Sequence, residues 1–282
     1  LTSPLAGRLP AQRAAALATH CDLVVVVDHV DGVDELAAAA EGHDASMSVL
    51  CDVDVGLGRT GVVDANAALA VADRVAGHRR LHFAGVQGYG GHLQHVHGRE
   101  HRRAATRASM ERLVVVIRAL EAHGHVVLLR TGGGTGTMGI DIELGVLNEL
   151  QPGSYVFMDR EYNDALKGDP EGRFGQSMTL LTTVISTNQE GFVTVDAGLK
   201  SMATDAGVPI VVGNEATSTY AFFGDEQGLV TTSLGHTFDR GQRIELVPPH
   251  CDPTVDCYDT IWLVHDDIAL DLIEVTARGC SR

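Results

Sequence analysis

The sequence predicts an α/β barrel of the TIM type, a parallel β/α barrel short of some strands, followed by a mainly-β domain. Three observations carry this expectation. Apolar, β-branched runs alternate with helical patterns about every thirty residues through the first part of the chain, which marks βα units and a parallel sheet. Glycine-rich or polar sequence follows three of those runs at their C-terminal ends, where a barrel places its loops and its chemistry. After Gly175 the helical period disappears, and short alternating stretches between Gly- and Asp-rich turns take over. Five βα units also suit an open doubly wound sheet. The position of the functional sequence favours the barrel, with three strands missing.

Residues 11–18 (AQRAAALA) are rich in strong helix formers. Residues 22–27 (DLVVVV) read as a strand covered on both faces. Asp31 or Asp34 is placed to cap the alanine-rich helix that ends before Gly42. A second strand reads over 48–55 (SVLCDVDV) and closes on GLGRTG at 56–61. Asp64 caps a helix over 65–76, which Gly77 stops. The third strand reads over 82–89. A long helix over 100–122 carries Met110, Leu113, Val114, Ile117 and Leu120 at helical spacing. The fourth strand, 125–130, runs into TGGGTGT at 131–137, and the fifth lies near 151–159 (QPGSYVFMD). In the second domain, strands are expected at 180–186, 192–196, 210–212, 220–223, 243–247 and 260–264. The boundary falls in the polar stretch 160–177, giving a barrel over 1–168 and a β domain over 169–282.

Composition narrows the function classes. The 282 residues are 44% hydrophobic, enough for a sizeable core, and no apolar run approaches membrane-spanning length. A formal charge of −16 argues against nucleic acid and anionic membranes as partners. Five cysteines without a framework spacing suit a reducing cytoplasm. The chain starts at Leu1 and has only two lysines, Lys167 and Lys200. Both features suggest that the N-terminal part of a longer protein is absent.

The segment 248–254 (PPHCDPT) sets His250 and Asp252 two positions apart, between prolines that fix φ and oppose helix. In an extended backbone the two share a side while Cys251 faces away. Imidazole plus carboxylate suits Mn, Zn or Mg and leaves coordination positions for water or substrate. On spacing alone, an Asx-type turn with a surface histidine is the plainer reading; the remaining motifs tip the balance. TGGGTGT offers bare backbone N–H groups for a phosphate, yet it lacks the P-loop lysine and is not the dinucleotide fingerprint. Gln151, Pro152, Gly153, Ser154 and Tyr155 form a second nest carrying a hydroxyl. Arg59 stands among glycines that let a ligand approach, and its fork suits a ring oxygen or a carboxylate. Tyr89 ends a strand, placed to stack on an aromatic cofactor or to serve as a rim aromatic. His92, His95 and His97 share a loop without a neighbouring carboxylate, so they read as partly solvated with one functional member. Asp196, Lys200, Asp225 and Glu226 are candidates for hydrogen-bonding roles in the β domain.

Together these segments resemble the fold-type III pyridoxal-phosphate enzymes, the alanine-racemase-like barrels, and more narrowly the D-threonine aldolase/D-serine dehydratase family. DVDVGLGRTGV at 52–62, GVQGYGGHLQH at 85–95, TGGGTGT, NELQPGSYVFMD at 148–159, VDAGLKSMATD at 195–205, GDEQG at 224–228 and PPHCDPTVDCYD at 248–259 carry the likeness over nearly the whole chain. The resemblance implies an alanine-racemase-like barrel, a C-terminal β domain, a homodimer, and a divalent metal (Mn, Mg or Zn) beside pyridoxal 5'-phosphate. It implies that Arg59 lies near the pyridine ring and its phenolic oxygen, Tyr89 at the cofactor, and His95 near the substrate hydroxyl. Thr131, Gly133, Gly134 and Thr135, with Gln151, Gly153, Ser154 and Tyr155, match the cofactor- and phosphate-binding turns, and His250 and Asp252 the metal pair. Aldolases of the family show His-x-Asp at the metal and dehydratases His-x-Cys. The implied activity is therefore a lyase that cleaves Cα–Cβ of a D-β-hydroxy-α-amino acid to glycine and an aldehyde. A D-serine or D-3-hydroxyaspartate dehydratase is the alternative. Two features depart from the pattern. The family's first-strand segment with the Schiff-base lysine is not found, so a non-catalytic fragment is a further expectation. Gly90 and Gln227 stand where histidine is common.

Overall fold

The computed structural model describes residues 1–169, 174–232 and 238–280; part of the polar stretch 160–177 therefore lies outside the described residues. It divides into two compact units, Leu1–Gly153 with Gly168–Gly172, and Ser154–Lys167 with Arg173–Arg282. Ser154–Lys167 thus groups with the second unit, although the composition change pointed to a boundary at 168.

The first unit runs α1 (Arg8–Ala18), β1 (Val24–Val27), α2 (Val30–His43), β2 (Met47–Asp52), α3 (Ala65–Ala76), β3 (Leu81–Gly88), α4 (Arg99–Ala122), β4 (Leu129–Gly132), α5 (Met138–Leu144) and β5 (Glu149–Leu150). Its five strands are all parallel and lie in the order β1-β2-β3-β4-β5. Sequential order is what a β/α barrel requires, whereas a doubly wound sheet reverses direction at a switch point. Val25, Val27, Val49 and Val86 are buried with Leu36, Val71, Leu113 and Leu120 of the flanking helices in one core. The β-branched runs thus read as strands covered by helices.

Some boundaries differ from expectation, each for a local reason. The imidazole of His29, not Asp31 or Asp34, caps α2 by accepting from the Asp31 amide. Asp34 instead pairs with Arg74. Helix α2 continues through Gly42 and ends where Asp44 takes a left-handed conformation at φ 53°. The fourth strand starts at Leu129 rather than 125, because the His125 amide closes the end of α4 on the Leu120 carbonyl. The fifth is not at 151–159 as expected but is the two residues Glu149–Leu150 before it, as Pro152 has no N–H to extend a ladder and a 3-10 turn follows at Ser154–Val156.

The second unit contains α6 (Arg160–Ala165), β6 (Leu180–Ser186), β7 (Phe192–Val195), β8 (Ile210–Val211), β9 (Ser218–Phe222), β10 (Gly228–Thr232), β11 (Arg243–Val247), α7 (Cys251–Val255), β12 (Thr260–His265) and β13 (Ile268–Glu274). Six strands form an antiparallel sheet in the order β8-β11-β6-β7-β10-β9, and β12 pairs with β13 as a separate hairpin. Val184, Val195, Tyr220, Val230 and Leu246 form its core. Strands β10 and β13 were not expected from the sequence. No helix among the described residues is long and apolar enough to cross a membrane.

Candidate active site

Chemistry-bearing residues of the first unit gather at the C-terminal ends of its strands. The loop after β2 is anchored at three points. Asp54 accepts from the amides of Gly56 and Gly58, both at 2.9 Å. Thr60 donates to Asp52 at 2.8 Å, and the Gly61 amide donates to Asp28 at 3.0 Å. The Gly58 and Gly56 amides hold the Asp54 carboxyl below its usual range, against a smaller burial effect. Gly61 is required here: φ is +103°, and a Cβ would lie 2.5 Å from the Asp54 nitrogen. These glycines therefore shape the turn, where ligand access was the expected reason for them. The turn presents Arg59 over the Tyr89 ring, 5.3 Å from its centroid, in a cation–π contact.

Behind this pair runs a buried polar chain that the strand patterns concealed. Asp52 accepts from Gln87 Nε2 at 2.9 Å, and Gln151 Nε2 donates to both Gln87 Oε1 and Thr131 Oγ1, at 3.1 and 3.0 Å. Burial raises the Asp52 carboxyl, while the hydrogen bonds from Gln87 and Thr60 oppose that rise. The signal was a polar residue interrupting each apolar parallel strand, Asp52 in SVLCDVDV and Gln87 in HFAGVQGY. Thr131 and Gln151, expected at the cofactor, are thus also tied to each other.

The glycine-rich turn differs from the open nest expected of it. The Gly134 amide donates to Thr137 Oγ1 and the Gly136 amide to Gln94 Oε1, at 3.3 and 2.9 Å. Gly134 and Gly136 are packed so closely on Gln94 that a Cβ would fall 2.6 and 1.9 Å from its atoms. Gly133, at φ +66°, leaves room for the Asp141 carboxylate. Thr135 is buried. A Cβ on Gly153, by contrast, would meet nothing within 4 Å, so a ligand has room there. Of the three loop histidines, His95 is half-buried next to the buried Leu93 and Gln94, while His92 and His97 are exposed.

Asp141 gives a measurable consequence. Thr137 Oγ1 donates to its Oδ2 at 2.6 Å, but the buried Oδ1 has no partner among the described residues. Burial pushes this carboxyl up to about 6, with the Thr137 hydrogen bond opposing. The folded state then prefers the protonated acid, so this group's contribution falls as pH rises from the unfolded value of 3.8 through 6. Asp141→Asn is expected to stabilise the protein by about 1–2 kcal/mol at pH 8 and to have little effect near pH 4. Urea unfolding at the two pH values checks this.

In the second unit, His250 and Asp252 are brought together, though by a different backbone from the extended one expected. His250 is extended at the N-cap position of α7, and Asp252 lies in the first helical turn. Pro253 is tolerated because first-turn N–H groups need no intrahelical partner. His250 Nε2 lies 3.3 Å from Asp252 Oδ2. An ion about 2.0–2.2 Å from each atom needs a separation of this order, so the pair fits a divalent cation. No group of three or more His, Cys, Asp or Glu side chains fit to hold a metal occurs among the described residues. The Asp252 hydrogen bond, opposed by burial and aided by Asp205, raises His250 to about 9. His250 in turn lowers Asp252, and a 3.0 Å hydrogen bond from Ser154 Oγ assists. Ser154, expected at the phosphate, thus binds one member of the His250–Asp252 pair. Cys251 is fully buried, its amide donating to Asp159 at 2.8 Å; contrary to expectation its side chain does not face away, since the helical turn brings Sγ to 3.7 Å from Asp252 Oδ1. Tyr155 is exposed and packs on Phe174, ring centroids 5.1 Å apart.

Residues 3–161 match the family described as "Alanine racemase, N-terminal domain", and residues 177–264 the family described as "Putative serine dehydratase domain". A D-threonine aldolase from Arthrobacter sp is 37% identical over 267 residues, covering 94% of this chain and 70% of the relative. The chain belongs to the D-threonine aldolase family of alanine-racemase-like enzymes. A 3-hydroxy-D-aspartate aldolase from Paracoccus denitrificans (strain Pd 1222) is 35% identical, over 93% of this chain and 68% of the relative. The crystal structure of D-threonine aldolase from Filomicrobium marinum superposes with a TM-score of 0.95 at 32% identity, over 99% of this chain and 76% of that one.

This is a family of pyridoxal-phosphate enzymes. Two features fit that cofactor: the Arg59–Tyr89 pair suits an aromatic ring with a phenolic oxygen, and the open face at Gly153 suits a phosphate. Covalent attachment finds no residue in the first unit, which has no lysine. Lys200, in the second unit, is exposed and pairs with Glu226 at 2.6 Å.

Proposed function

We propose that the protein is a lyase of the D-threonine aldolase type, cleaving Cα–Cβ of a D-β-hydroxy-α-amino acid to glycine and an aldehyde. The observation that carries this reading is the His250–Asp252 pair, with aspartate and not cysteine as the second ligand. When bound, pyridoxal phosphate supplies an electron sink at Cα, and a divalent cation held by His250 and Asp252 polarises the β-hydroxyl. Arg59 and Tyr89 bind and orient the cofactor ring. Thr131, Gln151 and Gly153 line the phosphate end. His95 takes the β-hydroxyl proton as general base. As the C–O bond becomes C=O, the Cα–Cβ electron pair passes to Cα, whose reprotonation gives glycine.

With D-threonine, pyridoxal phosphate and Mn2+, the full-length protein is expected to release glycine and acetaldehyde in equal amounts, without ammonia. Ammonia and a keto acid would make it a dehydratase instead. We take it to act as a homodimer in a reducing cytoplasm, in keeping with five free cysteines. A single-chain mass in light scattering would overturn the dimer.

A further inference from the structure

His250 has two ring nitrogens, and its backbone position alone does not decide which one faces the cation. Nε2 lies toward Asp252, while Nδ1 is 2.7 Å from Asp205 Oδ2. Asp205 is held in place by the segment before it, which is sewn to α7. The Ala203 amide donates to Thr254 Oγ1 at 3.0 Å, and that same hydroxyl donates to the His250 carbonyl at 2.6 Å. Tyr258 donates to the Ser201 carbonyl at 2.8 Å. Met202 and Ala203 are buried between these anchors. The carboxylate thus arrives at the ring on a fixed scaffold, sharing Thr254 with the histidine it meets.

We propose that Asp205 is the positioning carboxylate of His250: it accepts the Nδ1–H and so commits Nε2 to the cation. The assignment rests on reading His250 and Asp252 as the metal pair. Carboxylates behind a ligating histidine fix its tautomer and ring angle and strengthen it as a donor, and their loss weakens metal affinity about 10–100-fold. An exposed ion pair contributes little to folding, and the Asp205 side chain is 58% exposed. The two effects separate: Asp205 acts on affinity and barely on stability.

Calorimetric titration with Mn2+ at one pH, on the wild type and on Asp205→Ala, Asp205→Asn and His250→Ala, tests the proposal. Asp205→Ala is expected to weaken binding about 10–100-fold with only a small change in the melting temperature of the metal-free protein. Asp205→Asn should lose less, because its amide oxygen still accepts from Nδ1–H. In Zn2+-loaded protein, 15N-histidine NMR should show an exchange-protected Nδ1–H on His250 that Asp205→Ala exposes. Wild-type affinity in Asp205→Ala, with binding abolished in His250→Ala, would remove Asp205 from this role and leave the metal pair standing. Wild-type affinity in His250→Ala would instead overturn the metal reading itself. If Asp205→Ala does not fold, wild-type affinity in Asp205→Asn together with an unprotected Nδ1–H overturns the proposal.

Discussion

Alanine at either His250 or Asp252 is expected to lower metal-dependent turnover by about a hundredfold or more. Loss of an outer partner of a metal ligand already weakens such sites 10–100-fold, and loss of a ligand itself exceeds that. The effect should be steep because the protein offers a pair and not a cage. One substitution leaves a single side chain, and no third His, Cys, Asp or Glu among the described residues takes its place. Mn2+ titration and steady-state kinetics check the loss, and pyridoxal-phosphate absorbance should be unchanged. An equal loss of cofactor binding would show that the pair has a structural role. The stability signature has a definite sign. His250 is raised to about 9 by Asp252 and Asp205, so its imidazolium stabilises the metal-free fold fully below pH 6.5. That contribution is lost as pH rises through about 9. His250→Ala should therefore be less stable than wild type at pH 6 and approach it at pH 10.

Long-period features of this chain were legible in its sequence, and short-range backbone detail was not. Helix α3, with its Asp64 cap, and helix α4, with its stripe of Met110, Leu113, Ile117 and Leu120, were read to within a residue. Cap chemistry and a 3.6-residue period are local properties. Strands β10 and β13 escaped because their identity depends on partners, Tyr220 and Phe222 across from β10 and Thr260–His265 across from β13. At the site, the convergence of His250 and Asp252 was legible from their spacing, but the helical turn that produces it was hidden by the two flanking prolines. Asp205 lies 45 residues from His250, and no periodicity connects positions that far apart. Asp52 and Gln87 carried a visible signal, a polar residue inside an apolar strand, whose meaning required the cross-strand register Asp52↔Gln87. The glycine-rich turn shows the opposite limit. A composition that suits an open phosphate nest also suits close packing, and Gln94, about forty residues earlier, decides between the two.

Arg102→Ala is expected to destabilise the first unit by about 3–5 kcal/mol, the usual cost of removing one member of a buried ion pair. Arg102 is fully buried in the first turn of α4, and its guanidinium binds the buried Asp169 carboxylate and, at 2.6 Å, the Val96 carbonyl. Alanine would leave Asp169 charged without its counter-ion and the Val96 carbonyl without this donor. Most of the loss comes from that uncompensated burial and little from the pair's own attraction, because gathering two ions out of water cancels much of it. Removing both charges together should therefore cost far less: Arg102→Met combined with Asp169→Asn is expected to recover most of the stability in urea unfolding. Stability recovered in this way need not restore activity. Arg102 also ties down the carbonyl next to His95, so the double variant should fold and still turn over slowly. Full activity in it would mean that the Val96 contact does not hold His95 in position.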